Sequence, residues 1–271
     1  MKLRYYIVLL SALFIYSCKS DSPVESDPPP APSDFIKIIT IDSANIKFEV
    51  WSATANNLVY GYNSIGFKVF VDNQPKNTGY VKFFPKMYHW LGSPMHSSPV
   101  SPSYLYNSEK ELFIGYTSFL MPSDSTSFWI GSFNYNNEVS IDSASIVVIP
   151  YSFGKFTSFT DQVAGYFYII TLVNPYVPVQ GPNIFQCLLH RTNDDIHYEE
   201  IVGAEMFIKP WMEAMGHGSS GNVNPVYIGG GIYQGKANFT MAGLWAVYDS
   251  IRYQSRFITP SPLPRFLFNV Q

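Results

Sequence analysis

The sequence has 271 residues, of which 46% are hydrophobic, 17% aromatic and only 14% charged. This apolar content is enough for one large core or two ordinary ones, and it excludes an intrinsically disordered chain. The net charge is −3 and no Lys/Arg cluster is longer than a pair, so the electrostatic signature of nucleic-acid binding is missing. The 20 Tyr and 21 Phe favour strands over helices.

The N-terminus, residues 1–17, has the pattern of a bacterial lipoprotein signal peptide. After a basic start, the apolar run Tyr5–Tyr16 is too short to cross a bilayer as a helix. The segment Ile15–Cys18 resembles a lipobox, in which cleavage leaves Cys18 as a lipidated N-terminus. Residues 18–33 are rich in Pro, Ser and Asp, which predicts an extended tether. We therefore expect anchoring by lipid to the outer membrane, on its periplasmic or surface face; the alternative is an ordinary secreted protein.

The second cysteine, Cys187, lies in an alternating apolar run. With Cys18 expected to carry lipid, Cys187 has no partner, and no internal disulfide is predicted. We interpret Cys187 as a small buried hydrophobic residue.

The body of the chain is an imperfect tandem repeat, which predicts domains at residues 34–150 and 151–271. The period is too long for a solenoid unit and suits a domain. The matching pairs keep the same order along both halves. They are Gly61-Tyr62-Asn63 with Gly181-Pro182-Asn183, Val81–Met87 with Met206–Met212, His96–Ser98 with His217–Ser220, Phe113–Gly115 with Tyr233–Gly235, Phe119–Met121 with Phe239–Met241, and Phe128-Trp129 with Leu244-Trp245.

Each half is predicted to be an immunoglobulin-like antiparallel β-sandwich, so the fold class is all-β. Residues 46–50, 67–71 and 236–241 alternate apolar and polar side chains, and Gly, Pro or Asn follows at short intervals. Short strands with such turns are typical of two-layer sandwiches. Trp129 and Trp245 are expected to fill the core between the sheets, where no disulfide is available.

Two segments of the second half carry a family signature. Pro210–Gly218 is followed, after Gly235, by Phe239–Trp245. This pattern is similar to the YtkA-like (FixH-like) family, whose signature is roughly P-x-M-x-x-M-x-H-G and then Y-x-G-x-x-x-F-x-M-x-G-x-W. In the first half, Pro85–Trp90 and Met95–Pro99 resemble a looser copy, continued by Phe119–Pro122. The resemblance implies two small β-sandwich modules in a lipoprotein, and settings of metal efflux or oxidase assembly.

The signature gathers thioether and imidazole side chains, which select copper, especially Cu(I), over hard cations. We therefore predict a copper-binding or metal-homeostasis protein. The candidate metal ligands are Met212, Met215, His217 and Met241 in the second half and Met87, His89, Met95, His96 and Met121 in the first. The neighbours Met95 and His96 could serve one metal from a loop but not from a strand, where adjacent side chains point to opposite faces.

Other interpretations of the same residues stay open. Methionine also fills irregular core gaps, and a histidine before glycine can lock a tight loop. In that case the protein is a scaffold whose aromatic side chains bind a protein or glycan partner in the envelope. An enzyme is disfavoured, because Glu213 is the only acid near either histidine loop. The acidic turn Asn193–Asp195, flanked by His190 and His197, is a weaker candidate for calcium or zinc.

Overall fold

The structure is a computed structural model that describes residues 34–92 and 94–271. The chain in these ranges is almost entirely β, built of antiparallel sheets of immunoglobulin-like type, and the predicted fold class is confirmed. None of its helical segments is long and apolar enough to cross a membrane. The predicted signal peptide, the lipidation site at Cys18 and the tether to residue 33 lie outside the described residues, and they stay predictions.

The first half contributes the strands that precede residue 150. They are β1 (Ile36–Ser43), β2 (Ile46–Ser52), β3 (Leu58–Val59), β4 (Gly61–Val71), β5 (Gln74–Lys76), β6 (Tyr80–His89), β7 (Pro94–Ser97), β8 (Tyr104–Asn107), β9 (Leu112–Phe119), β10 (Ser127–Tyr135), β11 (Val139–Ile146) and β12 (Val148–Ile149).

The second half contributes the remaining strands and one short 3-10 turn, Glu213–Met215. The strands are β13 (Phe156–Asp161), β14 (Tyr166–Asn174), β15 (Gly181–Thr192), β16 (Glu199–Glu200), β17 (Glu205–Met212), β18 (His217–Gly218), β19 (Val223–Gly229), β20 (Ile232–Phe239), β21 (Gly243–Tyr253), β22 (Arg256–Phe257) and β23 (Arg265–Val270).

Strand order repeats between the halves. In the first half it runs β1-β2-β4-β9-β8 and continues through β6-β10-β11, with β7 on the other edge of β6. In the second half β13-β14-β15-β20-β19 form one sheet, and β18-β17-β21 with β23 form the other. The halves differ in the bridge through β8, which joins the two layers of the first half into one sheet, and in the parallel pair β3–β12 and strand β22, which occur in one half each. The boundaries 34–150 and 151–271 themselves stay predictions.

One pair of asparagines marks the repeat at the level of atoms. Asn63 accepts from the backbone N–H of Val59 at 2.8 Å and donates to the carbonyls of Val59 and Gly61. Asn183 makes the same three bonds, to the residues four and two positions before it. The sequence alignment of these two asparagines is therefore correct.

Alternation along the strands creates one core in each half. In β2 every second side chain is buried, because successive side chains of a strand point to opposite faces. Trp129 and Trp245 are fully buried among the apolar side chains of their own halves, as predicted. Cys187 is also buried and carries a free thiol, which confirms its predicted place in the core.

The two halves touch through a small polar junction. The hydroxyl of Tyr116 lies 2.9 Å from Nε2 of His190 and donates to Glu200 at 3.1 Å. Nearby, the hydroxyls of Ser118 and Thr171 lie 2.8 Å apart. His190 is completely buried, and desolvation lowers the pKa of its imidazole to about 3. The junction therefore contains a neutral histidine at ordinary pH.

Candidate functional site

In the first half, the end of β6 holds methionine, histidine and tryptophan side chains together. Met87 is the register partner of His96 on β7 and of Trp129 on β10. The imidazole of His96 stands edge-on to the Trp129 indole, with ring centroids 5.3 Å apart and planes at 80°. The indole Nε1 donates to the carbonyl of Met121 at 3.0 Å, which holds the Met121 backbone beside the same ring.

The second half repeats this arrangement with the corresponding residues. Met212 on β17 is the register partner of His217 on β18. His217 stands edge-on to Trp245, with centroids 5.8 Å apart and planes at 81°. Trp245 Nε1 donates to the carbonyl of Met241, again at 3.0 Å. Met212, His217 and the backbone of Met241 thus lie at one end of the sandwich, and their role as metal ligands stays a prediction.

Both imidazoles are oriented by a backbone carbonyl. Nδ1 of His96 lies 2.7 Å from the carbonyl oxygen of Ser97, and Nδ1 of His217 lies 2.9 Å from that of Gly218. A carbonyl oxygen can only accept, so Nδ1 carries the proton in each neutral ring. Nε2 then keeps its lone pair. A second ring nitrogen held by a carbonyl is the usual arrangement of histidines that ligate metals.

A glycine turn brings His217 back opposite Met212. After β17 the chain makes the 3-10 turn Glu213–Met215, which Gly216 ends in the left-handed region at φ 66°. The Gly216 N–H donates to the carbonyl of Met212 at 2.9 Å. Glycine reaches this conformation without the penalty that a Cβ would add, so the position favours glycine.

The methionines of the site differ in accessibility. Met87 and Met212 are buried within the apolar cores. Met121 packs against the first core from its edge, and Met241 is 38% exposed. Thioethers at the core edge can turn towards an imidazole more easily than fully packed ones. Met121 and Met241 are therefore more accessible than Met87 and Met212.

Three other predicted ligands are placed less favourably. Met95 and His96 are neighbours in strand β7, where the pairing with β6 is irregular at Met95, and Met95 is 44% exposed. His89 ends β6 and contacts the ring of Trp90, with centroids 5.9 Å apart. Met215 lies in the 3-10 turn and is 63% exposed.

Oxygen ligands are scarce around this end. Glu213, in the turn of the second half, accepts hydrogen bonds from Tyr248 and Arg265, so its carboxylate is already engaged. Within residues 34–92 and 94–271, no three His, Cys, Asp or Glu side chains are grouped as a metal site would require. An ion bound here would depend on imidazole and thioether ligands.

Part of the second half matches a known protein family. A family model described as YtkA-like matches residues 167–248. This segment is therefore similar to YtkA-like domains. The YtkA-like segment runs from β14 into β21 and includes Met212, His217 and Met241. The assignment of residues 34–150 to the same family stays a prediction, supported by the repeated strand order.

Searches of known proteins gave distant similarities. No curated protein matches the chain. A structure of FdeC, described as an Escherichia coli adhesin, is 12% identical, covers 84% of this chain and has a TM-score of 0.26. The chain spans 65% of the FdeC chain. Domains 5–6 of the S-layer protein SbsC are 9% identical, with 87% of this chain and 97% of theirs covered, at a TM-score of 0.30. At these TM-scores neither structure indicates a function for this chain.

Sequence reasoning missed one member of the site. Trp129 and Trp245 were predicted as core residues only, yet each also presents its ring to a histidine and its Nε1 to a methionine carbonyl. The sequence contains a signal for this second role, because both tryptophans fall within the aligned repeat and the family signature ends in tryptophan.

Proposed function

We propose that this protein is a lipid-anchored envelope protein that binds Cu(I), with one site at the His/Met end of each sandwich. The ligands are Nε2 of His96 with the thioether of Met121, and Nε2 of His217 with the thioether of Met241. The repeated orientation of Nδ1 towards a backbone carbonyl carries the proposal, because it leaves Nε2 unprotonated in both halves.

The chemistry of the ligand set favours a soft monovalent ion. Thioether sulfur binds Cu(I) and is a poor ligand for magnesium or calcium. The electron-rich ring of Trp129 or Trp245, 5.3 or 5.8 Å from the imidazole centroid, adds a face that attracts cations. No nearby carboxylate is needed, since one positive charge requires little compensation.

Three further methionines extend the site in this proposal. The buried Met87 and Met212 are the register partners of the two histidines and set the floor of each site. Met215 is exposed on the turn before His217, so it can capture an ion at the surface and pass it to Nε2. In the first half Met95 stands directly before His96 in strand β7 and not in a turn. We therefore expect the second site to bind Cu(I) more tightly.

A second candidate function rests on a different observation. Beside the first site, Trp90 is 66% exposed, Leu91 73%, Met95 44% and Phe128 40%. Tyr88 stacks on Phe128 at a centroid distance of 6.0 Å and continues the same surface. Exposed apolar patches of this kind are common at contacts with other molecules. A scaffold protein that binds an envelope protein or a glycan would use this patch without metal.

Anaerobic calorimetric titration with Cu(I) tests the metal proposal. We expect submillimolar binding to the full chain, with His96→Ala and His217→Ala each weakening one site at least about tenfold, since each removes a direct ligand. His197→Ala is the matched control, because His197 is exposed, is bonded to Asp194 and is not among the proposed ligands.

Two results would contradict the metal proposal. One is the absence of submillimolar binding by the unmodified protein. The other is equal loss of binding in His197→Ala and His217→Ala. Binding of an envelope protein or glycan that is abolished by Trp90→Ala and insensitive to His217→Ala would favour the scaffold function.

A further inference from the structure

A carboxyl group lies in the apolar core of the second half. Asp249 on β21 is completely buried, and neither of its oxygens has a hydrogen-bond partner among the described residues. Desolvation raises the pKa of this carboxyl well above its usual value, so the metal-free protein holds it protonated. Burying a polar group without a partner costs stability, so a group retained in this position calls for a ligand or a function.

Two sulfur atoms accompany the carboxyl. The thiol of Cys187 on β15 lies 3.9 Å from the thioether of Met206 on β17, and both side chains are buried in the same core. Met206 pairs with Ile251 and Ile208 pairs with Asp249, so Met206 and Asp249 are diagonal neighbours on the inner face of one sheet. Burial raises the pKa of the Cys187 thiol well above its usual value, and Asp249, when ionised, raises it further, as expected for neighbouring groups.

The internal repeat provides a comparison within one molecule. Asn63 and Asn183 correspond, and four residues further along the strand stand Phe67 and Cys187. Trp129 and Trp245 also correspond, and four residues after them stand Phe133 and Asp249.

The repeat also gives the first-half counterpart of Met206. Met87 and Met212 correspond, and six residues before them stand Val81 and Met206. In the first half Phe67 and Phe133 pack edge to face at 5.8 Å, as an ordinary apolar core does. The second half has a thiol, a carboxyl and a thioether in the three corresponding positions. The apolar side chains of the first half show that packing at these three positions needs no polar group. Packing alone therefore does not explain the thiol, carboxyl and thioether of the second half.

We propose that Cys187, Met206 and Asp249 form a buried binding site for one soft monovalent cation, for which Cu(I) is the biological candidate. This site is separate from the His/Met ends, shares no ligand with them and goes beyond the proposed function. The sulfur atoms are the ligands. Asp249 stays protonated and donates to the thiolate sulfur.

Geometry and charge both suit a monovalent ion. Two sulfur ligands about 2.3 Å from a common ion at a trigonal angle lie about 4 Å apart, close to the observed 3.9 Å. The two sulfur atoms therefore need not move relative to each other once the ion is in place. Binding replaces the thiol proton of Cys187, which leaves to solvent, and the ion and thiolate together are neutral. A neutral pair is far cheaper to bury than a divalent complex.

The test uses the full chain with Cys18→Ser, so that Cys187 is the only thiol, and His96→Ala with His217→Ala, so that the His/Met sites are removed. Cu(I) is added anaerobically, and Ag(I) serves as an air-stable probe. We expect one ion per chain in native mass spectrometry, together with the ultraviolet charge-transfer band of a metal thiolate. Entry requires transient opening of the core, so uptake is expected to be slow and release slower.

Variants separate ligation from packing. Cys187→Val is expected to abolish the band and the retained ion, and Met206→Leu to weaken retention at least about tenfold. Asp249→Leu is expected to weaken retention while raising the melting temperature of the metal-free protein, because it removes an unpartnered buried carboxyl. Leu189→Val, a core truncation two residues from Cys187, is the control that keeps the ion.

The outcomes do not depend on the function of the His/Met ends, since both histidines are absent from the tested chain. A chain that retains no ion and shows no thiolate band, even after refolding with Ag(I), would overturn the inference. An ion retained equally by Cys187→Val would overturn it as well.

Discussion

Trp245→Ala is expected to lower the free energy of unfolding by about 3–5 kcal/mol, the range for removing a large buried aromatic side chain. Trp245 is completely buried and packs on Phe239 at 5.6 Å, while its Nε1 holds the Met241 carbonyl. The truncation leaves a cavity and removes the ring beneath His217. Urea unfolding followed by circular dichroism measures the change.

A milder variant separates the two roles of this side chain. Trp245→Phe keeps an aromatic ring but loses the hydrogen bond to Met241, and we expect it to cost about 1–3 kcal/mol. Trp129→Phe, in the corresponding place of the first half, is the matched comparison and should cost a similar amount. A loss below about 1 kcal/mol in Trp245→Ala would contradict the packing described here.

Acidification is expected to destabilise the protein through His190. Its folded pKa of about 3 lies below the unfolded value of 6.5. Between these values the unfolded chain binds a proton that the folded chain does not. The contribution of neutral His190 to the free energy of unfolding is therefore fully present above pH 6.5. It falls as the pH drops, by about 1.4 kcal/mol per pH unit towards pH 3.

Comparison with His190→Gln isolates this effect. Glutamine can retain the contact to Tyr116 without titrating, and Glu200, which shares the Tyr116 hydroxyl, is present in both proteins. Asp249 has the opposite effect on stability, because its pKa is raised in the folded chain and the unfolded chain therefore loses this proton first as the pH rises. The natural protein and the variant share this effect, so it cancels in the difference between their stabilities. From pH 6.5 to pH 4.5 the stability of the natural protein should fall relative to the variant by about 2 kcal/mol. Parallel curves for the two proteins would contradict a buried neutral His190.

The β architecture could be predicted because the relevant signals are local. Alternation in strands such as β2 reflects which face is buried, and the paired Asn63 and Asn183 mark the same turn in both halves. The two tryptophans could be placed in the cores for the same reason. These features depend on the period of side chains along a strand, which the sequence displays directly.

The site could be predicted only in part, because ligand geometry depends on the face that each side chain takes. The sequence groups Met95 with His96, but it does not reveal that both lie in strand β7, beside an irregularity in its pairing with β6. The contact of each histidine with tryptophan arises from register between strands that are far apart in the sequence. The cluster of Cys187, Met206 and Asp249 brings together strands from both sheets, so spacing gave no sign of it.

The most direct test of the metal proposal is a long-range proton–nitrogen NMR spectrum of the histidine side chains, recorded before and after addition of Cu(I). The proposal predicts that Nε2 of His96 and His217 shifts on binding, while Nδ1 keeps the resonance of a protonated nitrogen bonded to a carbonyl. His197 should be unchanged. Unchanged Nε2 resonances at both His96 and His217 in the presence of excess Cu(I) would contradict the proposed function.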